Sequence, residues 1–142
     1  MNTIELGSDH AGYELKVWLQ KMLSEMEINV NDHGTFSNES ADYPDYAHAT
    51  AKAVLDSNNK GILICGSANG VCMTANKYAG IRAALCWNKD VAELARLHND
   101  ANMLCLPARF ITQEEALNMV KVFIATAFEG GRHATRVNKI NC

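Results

Sequence analysis

Five short apolar runs alternate with helical segments along this chain, and no other feature limits its possible folds so strongly. The runs cover residues 3–6, 28–30, 62–64, 81–86 and 102–106. Strands that alternate with helices lie parallel in one sheet, and the connecting helices cover both of its faces. The sequence therefore predicts a single three-layer α/β/α domain with a five-stranded parallel sheet over residues 1–142.

The helical segments are recognised by apolar residues that recur every three or four positions and so share one face. Pro44 suits the first turn of the second helix, and residues 112–115 form a capping box that opens the fifth. A last short helix is expected over residues 132–140. The residues expected to face the core are Leu15, Leu19, Met22, Leu23, Met26, Ala47, Ala51, Val54, Leu55, Val91, Leu94, Ala95, Leu117, Val120, Phe123 and Ile124.

Composition and charge argue against several classes of function. Apolar residues make up 48% of the chain and the net charge is −3, so no basic surface is available for nucleic acid. No apolar run reaches the ~20 residues of a membrane span, and the N-terminus lacks the basic start of a secretory signal. We therefore expect a cytoplasmic protein that acts on a small molecule.

The cysteines indicate neither a disulfide framework nor a metal site. Their number, five, is odd, and no CxxC pair or Cys/His ligand spacing is present. Most lie in or beside apolar runs, so free and largely buried thiols in a reducing compartment are expected. These residues are Cys65, Cys72, Cys86, Cys105 and Cys142.

Residues 61–77, GILICGSANGVCMTANK, contain the most informative turn of the chain. An apolar strand leads into a small-residue turn at 65–70 and then into a helix, so several backbone N–H groups point at one spot that favours an anion. The turn lacks the spacing of nucleotide-binding loops, and a phosphatase loop would need arginine where Val71 stands. A purely structural turn remains the alternative.

Cys65 stands at the mouth of this turn and has two interpretations. As a core residue its thiol would be inert. At the positive end of a helix the pKa of the thiol would fall, and the thiolate could act as a nucleophile or a general base.

Other polar residues are expected at the same edge of the sheet, where ligands of parallel α/β proteins bind. Asp9 follows the first strand and could either cap the first helix or move protons between sugar hydroxyls. His98 near a helix end could be a partner of the helix dipole. Arg132 and Arg136 share one helical face, and with Arg109 they could bind a phosphate or simply form a solvated basic helix end.

Six segments together resemble one known family. They are GSDHAGYELK at 7–16, DYPDYA at 42–47, CGSANGVCMTANK at 65–77, GIRAAL at 80–85, HNDAN at 98–102 and EGGRHATRV at 129–137. In this collinear order they resemble the type B ribose-5-phosphate isomerases, in the wider group that includes galactose-6-phosphate isomerase.

The resemblance implies a Rossmann-like fold and the interconversion of ribose 5-phosphate and ribulose 5-phosphate without metal or cofactor. Cys65 would be the base, Asp9 would move a hydroxyl proton, and His98 would help to open the sugar ring. Ser67 and the backbone of Gly66, Ala68, Asn69, Gly70 and Val71 would stabilise the enediolate. Tyr43 and Asn99 would line the site, and the phosphate would be bound by His10, Arg109, Arg132 and Arg136.

The resemblance also implies a homodimer or homotetramer with shared active sites, in which the C-terminal helix docks on a partner subunit. Two positions depart from parts of the family. Most relatives have glycine where this chain has Ala68, and a second branch uses glutamate as its base where this chain has Val71. Isomerisation of a six-carbon phosphosugar, or phosphosugar binding without catalysis, are the alternatives; a flavodoxin-like cofactor domain is less favoured.

Overall fold

The computed structural model describes residues 2–141, and its centre is a five-stranded sheet. All pairings are parallel, and the strand order is β2-β1-β3-β5-β4. The predicted α/β architecture is confirmed. The strands are β1 (Thr3–Ser8), β2 (Asn29–Asp32), β3 (Lys60–Cys65), β4 (Ala83–Leu85) and β5 (Met103–Pro107).

Six helices connect or follow these strands. None of the helices in residues 2–141 combines the length and the apolar character needed to cross a bilayer. The predicted capping box is present, because Thr112 Oγ1 accepts from Glu115 N at 3.1 Å and Glu115 Oε1 accepts from Thr112 N at 2.9 Å. The helices are α1 (Tyr13–Glu25), α2 (Tyr43–Ser57), α3 (Asn69–Ala75), α4 (Lys89–Asn99), α5 (Gln113–Ala125) and α6 (Arg132–Val137).

The core has two halves, one on each face of the sheet. Successive residues of β3 point to opposite faces. Ile62 and Ile64 pack with α1, α4 and α5, whereas Leu63 and Cys65 pack with α2 and α3. Both faces of the central strands are therefore covered, and this is why their sequences are continuously apolar.

For several residues the prediction that they face the core is wrong. Met26, Leu55 and Leu94 are exposed. Helix α4 is rotated so that it buries Arg96 instead of Leu94. The Arg96 guanidinium donates to the carbonyl oxygens of Ala101 and Thr126. Its N–H groups therefore keep hydrogen-bond partners although the side chain is buried.

Element ends also differ from the prediction at several strands and at the last helix. Strand β1 continues to Ser8, which pairs with Ile64 of β3. Strand β4 is shorter, because Arg82 N bonds to the side chain of Asn102 rather than to a neighbouring strand. Helix α6 ends at Val137, and a tighter turn follows, in which Ile140 N bonds to Val137 O at 3.1 Å.

The described cysteines are unbridged thiols, as predicted. They are Cys65, Cys72, Cys86 and Cys105. Cys142, which was also expected to be free, lies outside the described residues.

Candidate active site

Cys65 and Asp9 meet at the carboxyl edge of the sheet. Cys65 ends β3 and Asp9 follows the adjacent β1, so the strand register places them side by side. Cys65 Sγ donates to Asp9 Oδ2 at 3.3 Å, while Asp9 Oδ1 accepts from Gly12 N at 3.1 Å. One carboxylate oxygen thus binds Gly12, the residue before α1, and the other faces the thiol.

The surroundings of Cys65 raise the pKa of its thiol. Burial is the largest cause, and the hydrogen bond to Asp9 and its negative charge add to it. The N–H groups of Ala68 and Gly66 lower the pKa, as the sequence suggested, but they are outweighed. The predicted fall in the pKa is therefore wrong, since a buried thiol beside a carboxylate resists ionisation more than a helix N-terminus promotes it.

The turn after Cys65 is tightly constrained. Ala68 has φ +66°, a left-handed conformation that glycine adopts more easily. Ser67 and Asn69 are exposed and bonded to each other, with Asn69 N donating to Ser67 Oγ at 3.3 Å. Val71 is fully buried, and its side chain packs in the core half that contains Cys65.

Two side chains rest directly on the glycines of this turn. A Cβ atom added at Gly66 would lie 3.2 Å from Nη1 of Arg109, and one added at Gly70 would lie 2.4 Å from the Tyr43 ring. Arg109 N also bonds to Gly66 O at 3.1 Å. The glycines therefore allow a cation and a phenol to approach the backbone closely on either side of the turn.

His10 completes the group at this edge. Its Nδ1 accepts from Ala41 N at 3.1 Å. In the neutral imidazole the proton must then be on Nε2, which can donate to a ligand. The predicted residues that this edge brings together are Asp9, His10, Tyr43, Cys65, Gly66, Ser67, Ala68, Asn69, Gly70 and Arg109.

The remaining predicted site residues lie elsewhere in the same chain. Helix α4 runs back from the carboxyl edge, so His98 and Asn99 at its end lie near the amino end of β5. Cys65 is paired with Pro107 at the other end of that strand. Four steps of ~3.3 Å separate the two ends, so about 13 Å of sheet lies between these groups.

Arg132 and Arg136 belong to the second group. They lie on α6, which packs on α4 through a ring stack between His98 and His133, with centroids 4.1 Å apart. Both arginine side chains are exposed. The predicted site residues of one chain thus form two groups at opposite ends of the strands, and each group is called a half-site below: the first lies around Cys65, and the second lies on α4 and α6.

A cavity of about 540 Å³ lies apart from the Cys65 group. It flanks the edge strand β4, and its lining includes Tyr78, Arg82, Asn99 and Ile140. The cavity adjoins the second half-site through Asn99, and it does not mark the position of the reactive thiol.

Sequence reasoning missed one residue beside the first half-site. Lys16 is fully buried and forms an ion pair with Asp32, whose Oδ1 also accepts from Gly34 N. The Tyr13 and Phe36 rings cover the ammonium. A lysine on a helix is ordinarily solvated. The burial of Lys16 becomes visible only when the fold places Asp32, at the end of β2, next to α1.

Comparison with known proteins agrees with this fold. The family model for ribose/galactose isomerases matches residues 4–140. The probable ribose-5-phosphate isomerase B of Mycoplasma pneumoniae is 48% identical over 139 residues, covering 96% of this chain and 91% of the relative.

Solved structures agree equally well. A ribose 5-phosphate isomerase from Thermotoga maritima superimposes with a TM-score of 0.97 at 48% identity, covering 99% of this chain and 97% of that one. Ribose-5-phosphate isomerase B from Mycoplasma genitalium, solved with bound ribulose-5-phosphate, gives a TM-score of 0.92 at 44% identity, covering 97% and 93%.

The fold and these matches define the chain as an isomerase of the three-layer α/β class. It belongs to the ribose/galactose isomerase family.

Proposed function

We propose that this isomerase interconverts D-ribose 5-phosphate and D-ribulose 5-phosphate through an enediolate. The observation that carries the proposal is the Cys65–Asp9 pair beside a turn of converging N–H groups. The names of the relatives support the same substrate, and one of them was solved with ribulose-5-phosphate bound. Neither a six-carbon phosphosugar nor a purely binding role is favoured by these relatives.

The chemistry needs one base and one acid that act together. In the open-chain aldose, the base removes the proton from C2 while the carbonyl oxygen on C1 gains a proton. The proton on the base then goes to C1, and the hydroxyl on C2 gives its proton back to the group that had protonated the C1 oxygen, so that C2 becomes the ketone. Atoms and charge balance, and no redox partner is needed.

The raised pKa of Cys65 explains why the pair is needed. The thiol keeps its proton at rest, and Asp9 Oδ2 is the acceptor within hydrogen-bond distance. Transfer of that proton leaves a thiolate beside a protonated carboxyl. The thiolate then takes the C2 proton and the carboxyl protonates the carbonyl oxygen, so one internal transfer prepares both base and acid.

The turn would stabilise the charge that develops on the substrate oxygens. The N–H groups of Gly66 and Ala68, which face the thiol, and the exposed hydroxyl of Ser67 would be the donors. Donors fixed in place before reaction stabilise an oxyanion without reorganisation. Tyr43, held against Gly70, would line the sugar, and His10 and Arg109 would contact the phosphate.

A second copy of the chain would supply the other half-site. His98 and Asn99 are too far from Cys65 of their own chain to share a substrate of five carbons. In a homodimer or homotetramer, α6 and the end of α4 of one subunit would dock on the carboxyl edge of another. Arg132 and Arg136 would then bind the phosphate, and His98 would open the furanose ring.

Turnover of the purified protein tests the proposal. Rates with ribose 5-phosphate are compared with rates for allose and galactose 6-phosphates under identical conditions. We expect kcat/KM to be highest for the pentose. A higher value for either hexose would reassign the substrate, and no turnover of any of them would leave only a binding role.

A further inference from the structure

His98, His133 and Glu129 form a compact cluster between α4 and α6. The two imidazole rings are parallel within 11°, with centroids 4.1 Å apart. The Nε2 atoms of His98 and His133 lie 3.8 Å and 3.9 Å from the two carboxylate oxygens of Glu129. Each ring therefore faces its own oxygen of one shared carboxylate.

Two histidines and a glutamate suggest a metal centre, but the ring geometry argues against one. A metal ion must lie about 2 Å from each nitrogen and in the plane of each ring. Two nearly parallel rings, stacked face to face, cannot direct their lone pairs to one such point. The arrangement is that of a stacked pair of rings with one carboxylate facing both Nε2 atoms.

The backbone fixes this cluster from both sides. Glu129 N donates to the carbonyl oxygen of Leu97 at 3.1 Å, and Leu97 directly precedes His98 in the sequence. Gly130 and Gly131 then have positive φ values and turn the chain into α6, where His133 N bonds to Gly130 O at 3.1 Å. The turn of α6 that carries His133 is thereby held over the end of α4.

The charges around the stack leave His133 neutral. Its pKa is lowered, first by partial burial of the ring and then by the charge of His98, with Arg132 and Arg136 adding to the effect. Glu129 acts in the opposite direction but is outweighed. A neutral flat ring therefore covers one face of His98, and a carboxylate faces its Nε2.

We propose that Glu129 and His133 are positioning residues for His98, holding its imidazole in the orientation in which it opens the sugar ring in the partner's half-site. This proposal rests on the function proposed above. The stack sets the plane of the His98 ring, and the carboxylate lies 3.8 Å from its Nε2, on the side toward which that nitrogen is turned. Because His133 lies between Arg132 and Arg136 in sequence, the same cluster places the imidazole and the two phosphate ligands as one unit.

The test compares three variants of the full-length protein with the wild type. Glu129→Gln and His133→Ala should lower kcat for ribose 5-phosphate by about 10- to 100-fold, the usual cost of a displaced catalytic group. KM and the Kd of an open-chain aldonic acid phosphate should stay near wild type, because neither measures ring opening. His133→Phe keeps a flat ring on His98 and should retain most of the wild-type kcat.

A pH–rate profile adds a readout that folding alone would not change. The charge of Glu129 raises the pKa of His133, so its removal in Glu129→Gln should lower that pKa further. The acid limb of kcat should therefore move to lower pH. Glu25→Gln, an exposed change at the end of α1, serves as the control and should alter neither kcat nor the profile.

The outcomes separate the two proposals. Wild-type protein that fails to isomerise ribose 5-phosphate overturns the proposed function itself. Active wild type with unchanged kcat in Glu129→Gln and His133→Ala overturns only the positioning role. A rise in KM with constant kcat, or equal losses in His133→Phe and His133→Ala, would also overturn it, because α6 placement alone would then explain the cluster.

Discussion

Cys65 Sγ donates a 3.3 Å hydrogen bond to Asp9 Oδ2, which joins the ends of two neighbouring strands through a thiol and a carboxylate. Both residues are buried, so bulk water has little access to the pair. Each is therefore the natural proton partner of the other.

Cys65→Ser tests the base directly. A serine hydroxyl nearly matches the thiol in shape but is far less acidic, so it cannot give its proton to Asp9. The variant should fold, bind a phosphosugar inhibitor with unchanged Kd, and lose activity by ~10²–10⁴-fold, the typical contribution of a general base. Steady-state kinetics and calorimetry measure the two effects. A kcat near wild type would show that another group removes the proton.

Asp9→Asn should make Cys65 easier to ionise. The carboxylate raises the pKa of the thiol through its hydrogen bond and its charge, so its removal should shift alkylation of Cys65 by iodoacetamide to lower pH. The same variant should lose isomerase activity.

The alkylation needs a background without Cys72. The pKa of Cys72 is lowered, chiefly by a hydrogen bond from Cys105, so Cys72 would react first. Burial raises the pKa of Cys86 to about 12, and that thiol should stay unmodified. Peptide mass spectrometry on Cys72→Ser protein reports each site. An unchanged pH dependence at Cys65 would mean that Asp9 does not govern its ionisation.

Subunit mixing tests whether the half-sites are shared. Cys65→Ser and His98→Asn are each expected to have low activity, but a mixed dimer would contain one site with both native residues. Random reassociation after co-refolding should restore about a quarter of the wild-type rate, because half of the dimers are mixed and each has one intact site. Each variant refolded alone is the control. If mixing restores no activity although mixed dimers form, both residues act within one chain.

Ala68→Gly should stabilise the protein. At φ +66° an alanine side chain costs roughly 1 kcal/mol that glycine does not incur. The free energy of unfolding, from urea denaturation, should rise by part of this amount, because glycine also gains entropy in the unfolded chain. Ala125→Gly at the exposed end of α5 is the matched control and should destabilise. Destabilisation by Ala68→Gly would show that the turn holds alanine without strain.

Glu5 should make stability depend on pH in the acid range. Burial raises the pKa of its carboxyl, but hydrogen bonds from His33, Asn59 and Asn31 and the charge of His33 outweigh it, so the folded-state pKa lies below 4.5. A lowered pKa stabilises the protein above the unfolded value, and that stability is lost as the pH falls through the folded value.

Glu5→Gln measures this contribution. The difference in unfolding free energy from wild type should be constant above about pH 5 and should shrink below it, as expected for a carboxyl with a lowered pKa. Urea denaturation across this range gives the values, with Glu25→Gln as the exposed control. A difference that grows on acidification would contradict the sign.

The sequence alone determined the fold class, because the periodicity of apolar residues distinguishes strands from helices and their alternation leaves one arrangement of layers. It also identified the turn after Cys65, since a run of small residues between a strand and a helix is typical of a tight turn. The motifs likewise indicated the family. These are local properties, and each is visible within a dozen residues.

Tertiary structure decided what local patterns could not. The pKa of Cys65 depends on burial and on Asp9, which is 56 positions away in the sequence, so the helix end alone gave the wrong sign. The exposure of Leu94 depends on how α4 rotates to accommodate Arg96. The separation of His98 from Cys65 follows from the direction in which α4 returns across the sheet, and this distance is the reason that a second subunit enters the proposal.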